Sequence, residues 1–409
     1  MTRIEELHVD GFKGLTDTDL EFGRLNVVTG RNNTGKTSLL EAIEVGLAPE
    51  GLKEYEDRVG DLVNVRTDEC HIALFLTDDQ CSLTLEFTPQ AEALDFAIDA
   101  LVSTVSVAPP FATSDDVDVS EAIERVLRTE LADAKPGEVR DIENKVLSVS
   151  FGGDDFRITP VDENLIKLIG NREEEIRSAL ESETGFAQWH EKMDVDDVMR
   201  YIWITPSPPF QNYFYPDPPE GPDDVLFVEQ PKIDDPPETD DENAAIKKVE
   251  IRDYLNEHEI TPEPGVTVED FDFDVIVFEE DGERFQVPYD FMGDGFKTIV
   301  GILWQFVGED DVSDVVLMEE PENHMHPGYV GELVPFLVDV AREEDVQLFV
   351  TTHNVDFISE FFGEFSDDEQ EFLESEFRLI QMTETVAKTF DYADAKEQVE
   401  DLHLDLRGI

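Results

Sequence analysis

A chain of 409 residues with 98 acidic and 30 basic side chains carries a formal net charge of −68. Apolar residues still make up 40% of it and 28 residues are Phe, which excludes acidic disorder and predicts a folded protein with a large core. The charge is spread along the whole sequence, and concentrated salt would screen its self-repulsion within a few ångströms, so the composition points to a halophile's cytoplasmic protein. The rival reading, a mesophilic protein with a large cationic partner, would gather the charge on one face.

No Lys/Arg cluster offers an electrostatic track for nucleic acid, which counts against DNA as a partner. Cys70 and Cys81 are the only cysteines and lack metal-type spacing, in keeping with a reducing interior. The sequence starts Met1-Thr2-Arg3-Ile4 without an apolar signal region. Its longest apolar stretch, 298–307, is broken by Gln305 and is too short for a membrane span. A soluble protein with no membrane partner is expected.

In chain order, 3–9, 18–22 and 25–29 read as strands, with Gly11-Phe12-Lys13-Gly14 as a turn between the first two. The third strand runs into Gly30-Arg31-Asn32-Asn33-Thr34-Gly35-Lys36-Thr37, a complete G-x-x-x-x-G-K-[ST] match. From Ser38, apolar residues recur at helical spacing to about Gly46. In this strand–loop–helix context the glycines let backbone N–H groups wrap a phosphate at a helix N-terminus. Lys36 then reaches the β- and γ-phosphates, and the Thr37 hydroxyl takes a place on Mg²⁺.

Residues 71–76 and 81–87 alternate like a strand pair. Helical periodicity appears over 118–133 and 163–190, with a hairpin (145–151 and 156–161) between them. The Pro- and Asp-rich stretch 205–237 reads as a loop, and 244–259 as a helix. We take 91–262 as a mainly helical α+β insertion of unknown role, dividing a nucleotide-binding domain into 1–90 and 263–409. A hairpin around Asp281-Gly282 follows, and then the turn Met292-Gly293-Asp294-Gly295 opens a helix through Trp304.

Val315–Met318 is a buried strand that delivers Glu319 and Glu320, followed by Pro321. At such a strand end one acid supports Mg²⁺ and the next polarises the attacking water; Glu319 takes the first role and Glu320 the second. After a helix over 331–342, a second buried strand, 346–351, ends in Thr351-Thr352-His353-Asn354. His353 at that tip can sense the γ-phosphate. His324 and His326 flank Met325 without a third ligand nearby and read as a connecting loop. A strand over 377–382 and a helix near 393–402 close the chain. Strand–helix–strand order of this kind implies parallel sheet construction, an α/β P-loop NTPase.

Together these segments resemble the ABC-type ATPases of the RecF/SMC/OLD group, and within it the AAA ATPases of the OLD-like subfamily, the fifteenth AAA domain family. The resemblance rests on Ile4 to Gly14, on Asn26 to Ile43 with its Asn32-Asn33, on Met292 to Lys297 as the signature, on Glu319 to Pro327 as Walker B and its loop, and on Thr351 to Asn354; the closing Asp405-Leu406-Arg407 is also similar. It covers 1–90 and 245–409 and leaves most of the insertion outside. Two positions depart from the pattern: Glu319 stands where Asp is usual, and Gly293 where Ser is expected. No Q-loop glutamine is placed.

The resemblance implies an ABC-ATPase-head-like mixed sheet with flanking helices, binding ATP and Mg²⁺ and dimerising around two nucleotides. Arg31, Asn32, Asn33, Thr34 and Ser38 would join Gly30, Gly35, Lys36 and Thr37 at the nucleotide. Gly293, Asp294 and Gly295 of a second copy would cover the γ-phosphate. It further implies hydrolysis that switches the dimer, in phage defence or DNA maintenance. The alternatives are a DNA-binding RecF/SMC-like repair protein and a nucleotide switch without turnover that recruits an effector protein. The chain after His353 is too short for the TOPRIM domain of OLD nucleases, and 91–262 lacks SMC-type heptads, so a stand-alone head is expected.

Overall fold

The computed structural model describes residues 3–401 except 65, 68, 78, 89, 107–117, 133, 144–145, 161–162, 183–194, 205–211, 216–217, 220, 222–224, 229–243, 259, 262–264, 307–313, 324, 326, 344–345 and 385. The first three strands, β1 (Ile4–Asp10), β2 (Thr18–Glu21) and β3 (Leu25–Gly30), fall where the alternation of apolar residues places them. They do not share a sheet. β1 and β2 pair antiparallel, whereas β3 crosses into a second sheet.

The antiparallel sheet takes in β4 (Glu69–Leu76), β5 (Gln80–Phe87), β6 (Leu147–Phe151), β7 (Asp154–Pro160) and β8 (Asn212–Tyr215), in the order β2-β1-β4-β5-β6-β7-β8. The other sheet combines β3 with β9 (Val225–Val228), β13 (Val315–Glu319), β14 (Gln347–Thr352), β15 (Phe377–Met382) and β16 (Ala387–Asp391). Its order is β16-β15-β3-β14-β13-β9, parallel throughout except for the β15–β16 hairpin. A small antiparallel sheet, β10 (Thr267–Asp270), β11 (Val275–Glu280) and β12 (Glu283–Pro288), contains the hairpin expected around Asp281-Gly282.

The parallel sheet is covered on both faces, as its nearly unbroken apolar strands require. Leu25, Val27, Val316, Met318, Leu348 and Val350 point to one core. That core also holds residues of α8 (Ala244–Glu257), α9 (Asp294–Phe306) and α10 (Pro327–Glu343). The alternate residues Val28, Val315, Leu317 and Phe349 point to a second core. There α1 (Lys36–Leu47) lies between the two large sheets, in contact with β4 and β5 as well as β3 and β14.

Two buried amides fasten the sheets at the start of the parallel strands. The Gln347 side chain accepts from the Ile4 amide at 2.9 Å and donates to the carbonyls of Ile4 and Gly23 at 2.8 and 2.7 Å. Asn26 accepts from the Gly23 amide at 2.9 Å and donates to its carbonyl at 2.8 Å. Gly23 itself tolerates no side chain, because a Cβ there would sit 1.9 Å from the Glu376 carbonyl oxygen.

Within 91–262 the helices α2 (Gln90–Ser106), α3 (Asp118–Leu131), α4 (Pro136–Glu143), α5 (Glu163–Gly170), α6 (Glu173–Ser182) and α7 (Val195–Ile204) form a third core of their own. The segment does not stand apart from the rest. β6, β7 and β8 extend the antiparallel sheet, and β9, from the stretch read as a Pro/Asp-rich loop, is a parallel edge strand beside β13. The helical reading over 163–190 divides into α5 and α6 where it is described. Near the end of the described chain, α11 (Val355–Glu360) and α12 (Asp367–Glu376) precede β15. α13 (Tyr392–Lys396) opens the closing helix, and a π-turn over Glu397–Asp401 continues it. Asp405-Leu406-Arg407, His324 and His326 lie outside the described residues.

Candidate active site

The tips of β3, β13 and β14 lie side by side, because β14 is hydrogen-bonded in parallel register to both of the others: Glu319 is opposite Thr351, and Thr352 opposite Thr29. This register brings together residues that are hundreds of positions apart in sequence.

The loop after β3 is wound tightly. Asn33 has a φ of 65° and Gly35, at the N-cap of α1, a φ of 96°, both in the left-handed region. A Cβ on Gly30 would lie 2.4 Å from the Met382 carbonyl oxygen. No side chain caps α1, so its first N–H groups face the loop without a side-chain acceptor, the arrangement that favours an anion. Arg31, Asn32 and Asn33 are exposed, Thr34 donates to the Arg31 carbonyl at 2.8 Å, and Ser38 is half-buried. Lys36 is only 7% exposed, and its ammonium donates to the carbonyls of Gly30 and Arg31 at 3.1 and 3.2 Å. It lies 4.0 Å from a Glu320 oxygen.

The Thr37 hydroxyl donates to the Glu319 carboxylate. These are hard oxygen donors placed side by side, the chemistry Mg²⁺ takes from a protein when phosphates supply the rest. No group of three or more His, Cys, Asp or Glu among the described residues could hold a metal ion alone. The Thr37 and Glu319 oxygens fit a metal whose coordination phosphates complete.

Glu320 adopts a left-handed φ of 45°, a costly conformation for a residue with a long side chain. Its amide donates to the Thr351 carbonyl and hydroxyl at 3.1 and 3.2 Å, and the Asn323 amide returns to its carbonyl at 2.9 Å. The Asn323 side chain donates to one Glu320 oxygen at 3.0 Å, and His353 Nδ1 is 3.0 Å from the other. His353 is exposed; Asn354, next in sequence, accepts from the Asp356 amide at 2.9 Å and caps α11.

Glu322 was not singled out from the sequence. It is 94% buried, accepts the Thr352 hydroxyl at Oε1 and has no partner at Oε2 among the described residues. Burial is the main force raising its carboxyl to about 7, and the Glu320 charge adds to it. In a chain with 98 acids one further Glu carries no signal; only its position after Pro321 could have marked it.

Gly293 and Asp294 are exposed, Gly295 is buried, and the hydrogen bonds from the Lys297 amide to Gly293 and from Thr298 to Asp294 stay within the turn and α9. A cavity of about 260 Å³ opens beside the loop, lined by Leu15, Thr16, Asn33, Gly35, Met382 and Val386 among others. A larger cleft of about 560 Å³ on β5–β7 contains none of the loop or carboxylate residues.

The model of the family described as "AAA domain, putative AbiEii toxin, Type IV TA system" matches residues 25–359. The chain belongs to that AAA family. Its mixed α/β architecture is that of a P-loop NTPase. The AAA chain is 31% identical over 108 residues to an uncharacterized protein of Methanocaldococcus jannaschii, covering 22% of this chain and 49% of that one. It is 37% identical over 75 residues to the DNA double-strand break repair Rad50 ATPase of Archaeoglobus fulgidus, covering 18% and 8%. The matches thus span about half of one relative and a small part of the other. Among solved structures it is similar to an Smc head domain with an extended coiled coil bound to the C-terminal domain of ScpA, from Pyrococcus furiosus. That similarity has a TM-score of 0.42 and 12% identity, covering 99% of this chain and 100% of that one. The SMC head domain of Thermotoga maritima gives 0.42 and 12%, covering 95% and 98%. No helix among the described residues is long and apolar enough to cross a membrane.

Proposed function

We propose that this AAA protein binds and hydrolyses ATP with Mg²⁺, and that hydrolysis switches a homodimer between closed and open states. The observation that carries the reading is the convergence of Lys36, Thr37, Glu319, Glu320 and His353 at three adjacent strand tips. Lys36 exchanges its two loop carbonyls for phosphate oxygens, and the helix N–H groups behind it bind the same anion. Thr37 and Glu319 hold the metal, which when bound neutralises charge on the phosphates. Glu320 orients a water and accepts its proton, with its carboxylate aimed by Asn323 on one oxygen and His353 on the other. His353 thereby senses whether the terminal phosphate is present. The cavity beside Gly35 gives the nucleoside room.

Gly293, Asp294 and Gly295 of a second copy would complete the phosphate shell, in keeping with the exposure of Gly293 and Asp294 at the start of α9. We take 1–90 and 263–409 as the ATPase domain and 91–262 as its insertion. The motif resemblance supports the OLD-like branch, with a role in phage defence, and the matched family description supports a toxin–antitoxin setting. For a role on DNA, the short match to a Rad50 repair ATPase speaks in favour and a net charge of −68 against.

Glu320→Gln is the decisive test. Turnover should fall about 10²–10⁴-fold, the range for loss of a general base, while ATP binding persists and a nucleotide-bound dimer accumulates in light scattering. Unchanged turnover would remove Glu320 from its assigned role.

A further inference from the structure

We propose that Glu322 is a positioning residue for hydrolysis, coupling the loop that carries Glu320 to the strand tip that carries His353 through its hydrogen bond with Thr352. The inference rests on the ATPase reading above and adds a residue to it.

The argument begins with connectivity. Glu320 and His353 touch each other, but each is held by its own segment, Glu320 by the turn 320–323 and His353 by the end of β14. Glu322 belongs to the first segment and Thr352 to the second. The Thr352 hydroxyl is used twice: it donates to Glu322 Oε1 and accepts the Asn354 amide at 2.9 Å. One hydroxyl therefore fixes the backbone on both sides of His353 relative to the acid turn. Asn354 in turn caps α11, so the chain from Glu322 to that helix is continuous through hydrogen bonds.

Burial makes this contact more than a surface pairing. Thr29, Thr351 and Thr352 are fully buried and Glu322 nearly so, and both Thr29 Oγ1 and Glu322 Oε2 are without partners among the described residues. A carboxyl placed in such surroundings is costly, and a purely structural role at this position would be met more cheaply by an apolar side chain. What an apolar side chain cannot do is accept the Thr352 hydroxyl. Among the described residues, the charged or titratable groups that act on Glu322 are Glu320 and His353, the two proposed to handle the water and the phosphate. Ionised, Glu322 would hold the Thr352 hydroxyl more firmly and increase the proton affinity of Glu320; its carboxyl, raised to about 7 by burial, changes form near neutrality.

The test compares the wild type with Glu322→Ala and Glu322→Gln, the latter keeping an acceptor for Thr352 without the charge. In nucleotide-free protein, amide hydrogen exchange over 351–354 should accelerate about tenfold or more in Glu322→Ala and stay within about threefold of wild type in Glu322→Gln. With ATP and Mg²⁺, Glu322→Ala should lose about tenfold in kcat with KM within about threefold, the signature of lost transition-state alignment rather than lost binding. Wild-type kcat should rise through an inflection near pH 7 that Glu322→Gln lacks; His353 is common to both, so the difference belongs to Glu322. Exchange unchanged in Glu322→Ala overturns the route through Thr352, and kcat within about twofold of wild type overturns the positioning role. Identical pH profiles for wild type and Glu322→Gln also count against the proposal. If Glu322→Ala does not fold, the Glu322→Gln exchange and pH profile decide. A wild type that binds ATP without turnover overturns the hydrolysis reading and this inference together, and is recognised before any variant is measured.

Discussion

In the six-stranded sheet, β3, β13 and β14 are buried along almost their whole length and place polar side chains chiefly at their two ends, whereas β1 and β5 of the seven-stranded sheet interleave buried residues with exposed or half-buried ones, as β4 does outside 72–74. Both follow from what covers them. The parallel sheet has cores on both faces, so a polar residue in mid-strand would be stranded without water, and Asn26, Gln347, Glu319 and Thr352 sit where partners are available. The antiparallel sheet has one wet face, where Glu6, His8, Asp19 and Thr84 can lie with little consequence. In an acidic chain this separates the few charges that matter from the many that do not.

The comparison can be broken first at the start of the parallel strands. Gln347→Leu removes the acceptor for the Ile4 amide and the donors for two buried carbonyls, which should cost about 3 kcal/mol in denaturant unfolding at fixed salt. A loss under about 0.5 kcal/mol would mean that the sheets do not depend on this amide.

The tips give the next effect, through pH. Glu322 has a folded value near 7 against an ordinary 4.5, so between these values the folded chain holds a proton that the unfolded chain has released. Stability should therefore fall as pH rises from about 4.5 to 7, and the penalty, at most about 3 kcal/mol, should persist above that range. Glu322→Gln should not show this component. Equal pH dependence of unfolding in the two proteins would contradict the buried-acid description.

On the wet face the expected effect is smallest. His8 and Asp19 pair at 2.7 Å but their side chains are 36% and 79% exposed. His8→Ala should change stability by no more than about 0.5 kcal/mol. A larger effect would show that the outward face is structurally coupled.

The same contrast explains what could be read from the sequence. The glycine-bounded loop, the apolar strands ending in Glu319-Glu320 and in Thr351 to Asn354, and the alternation in β1 and β4 each carry a local periodicity or motif, and each falls at its expected place. β9 does not: Val225-Leu226-Phe227-Val228 is only four residues long among prolines and aspartates, and only the neighbouring β13 makes it a strand. α12 was missed although Ser366 and Glu369 form a capping box that the sequence displays. Glu322 and Asn323 could not be weighted, because their importance lies in contacts with Thr352 and Glu320 that only the parallel register creates.

One of these late additions bears on how the chain could be trimmed or redesigned. β9 lends its backbone to the free edge of β13, and a side chain at Gly221, just before it, would collide with the Leu47 carbonyl at the end of the loop helix. Excising 91–262 as a module would strip β13 of a neighbour and leave a row of amides and carbonyls open to any passing strand. The acids at the tip of β13 and the segment 91–262 are thus mechanically in series, one ladder of hydrogen bonds apart.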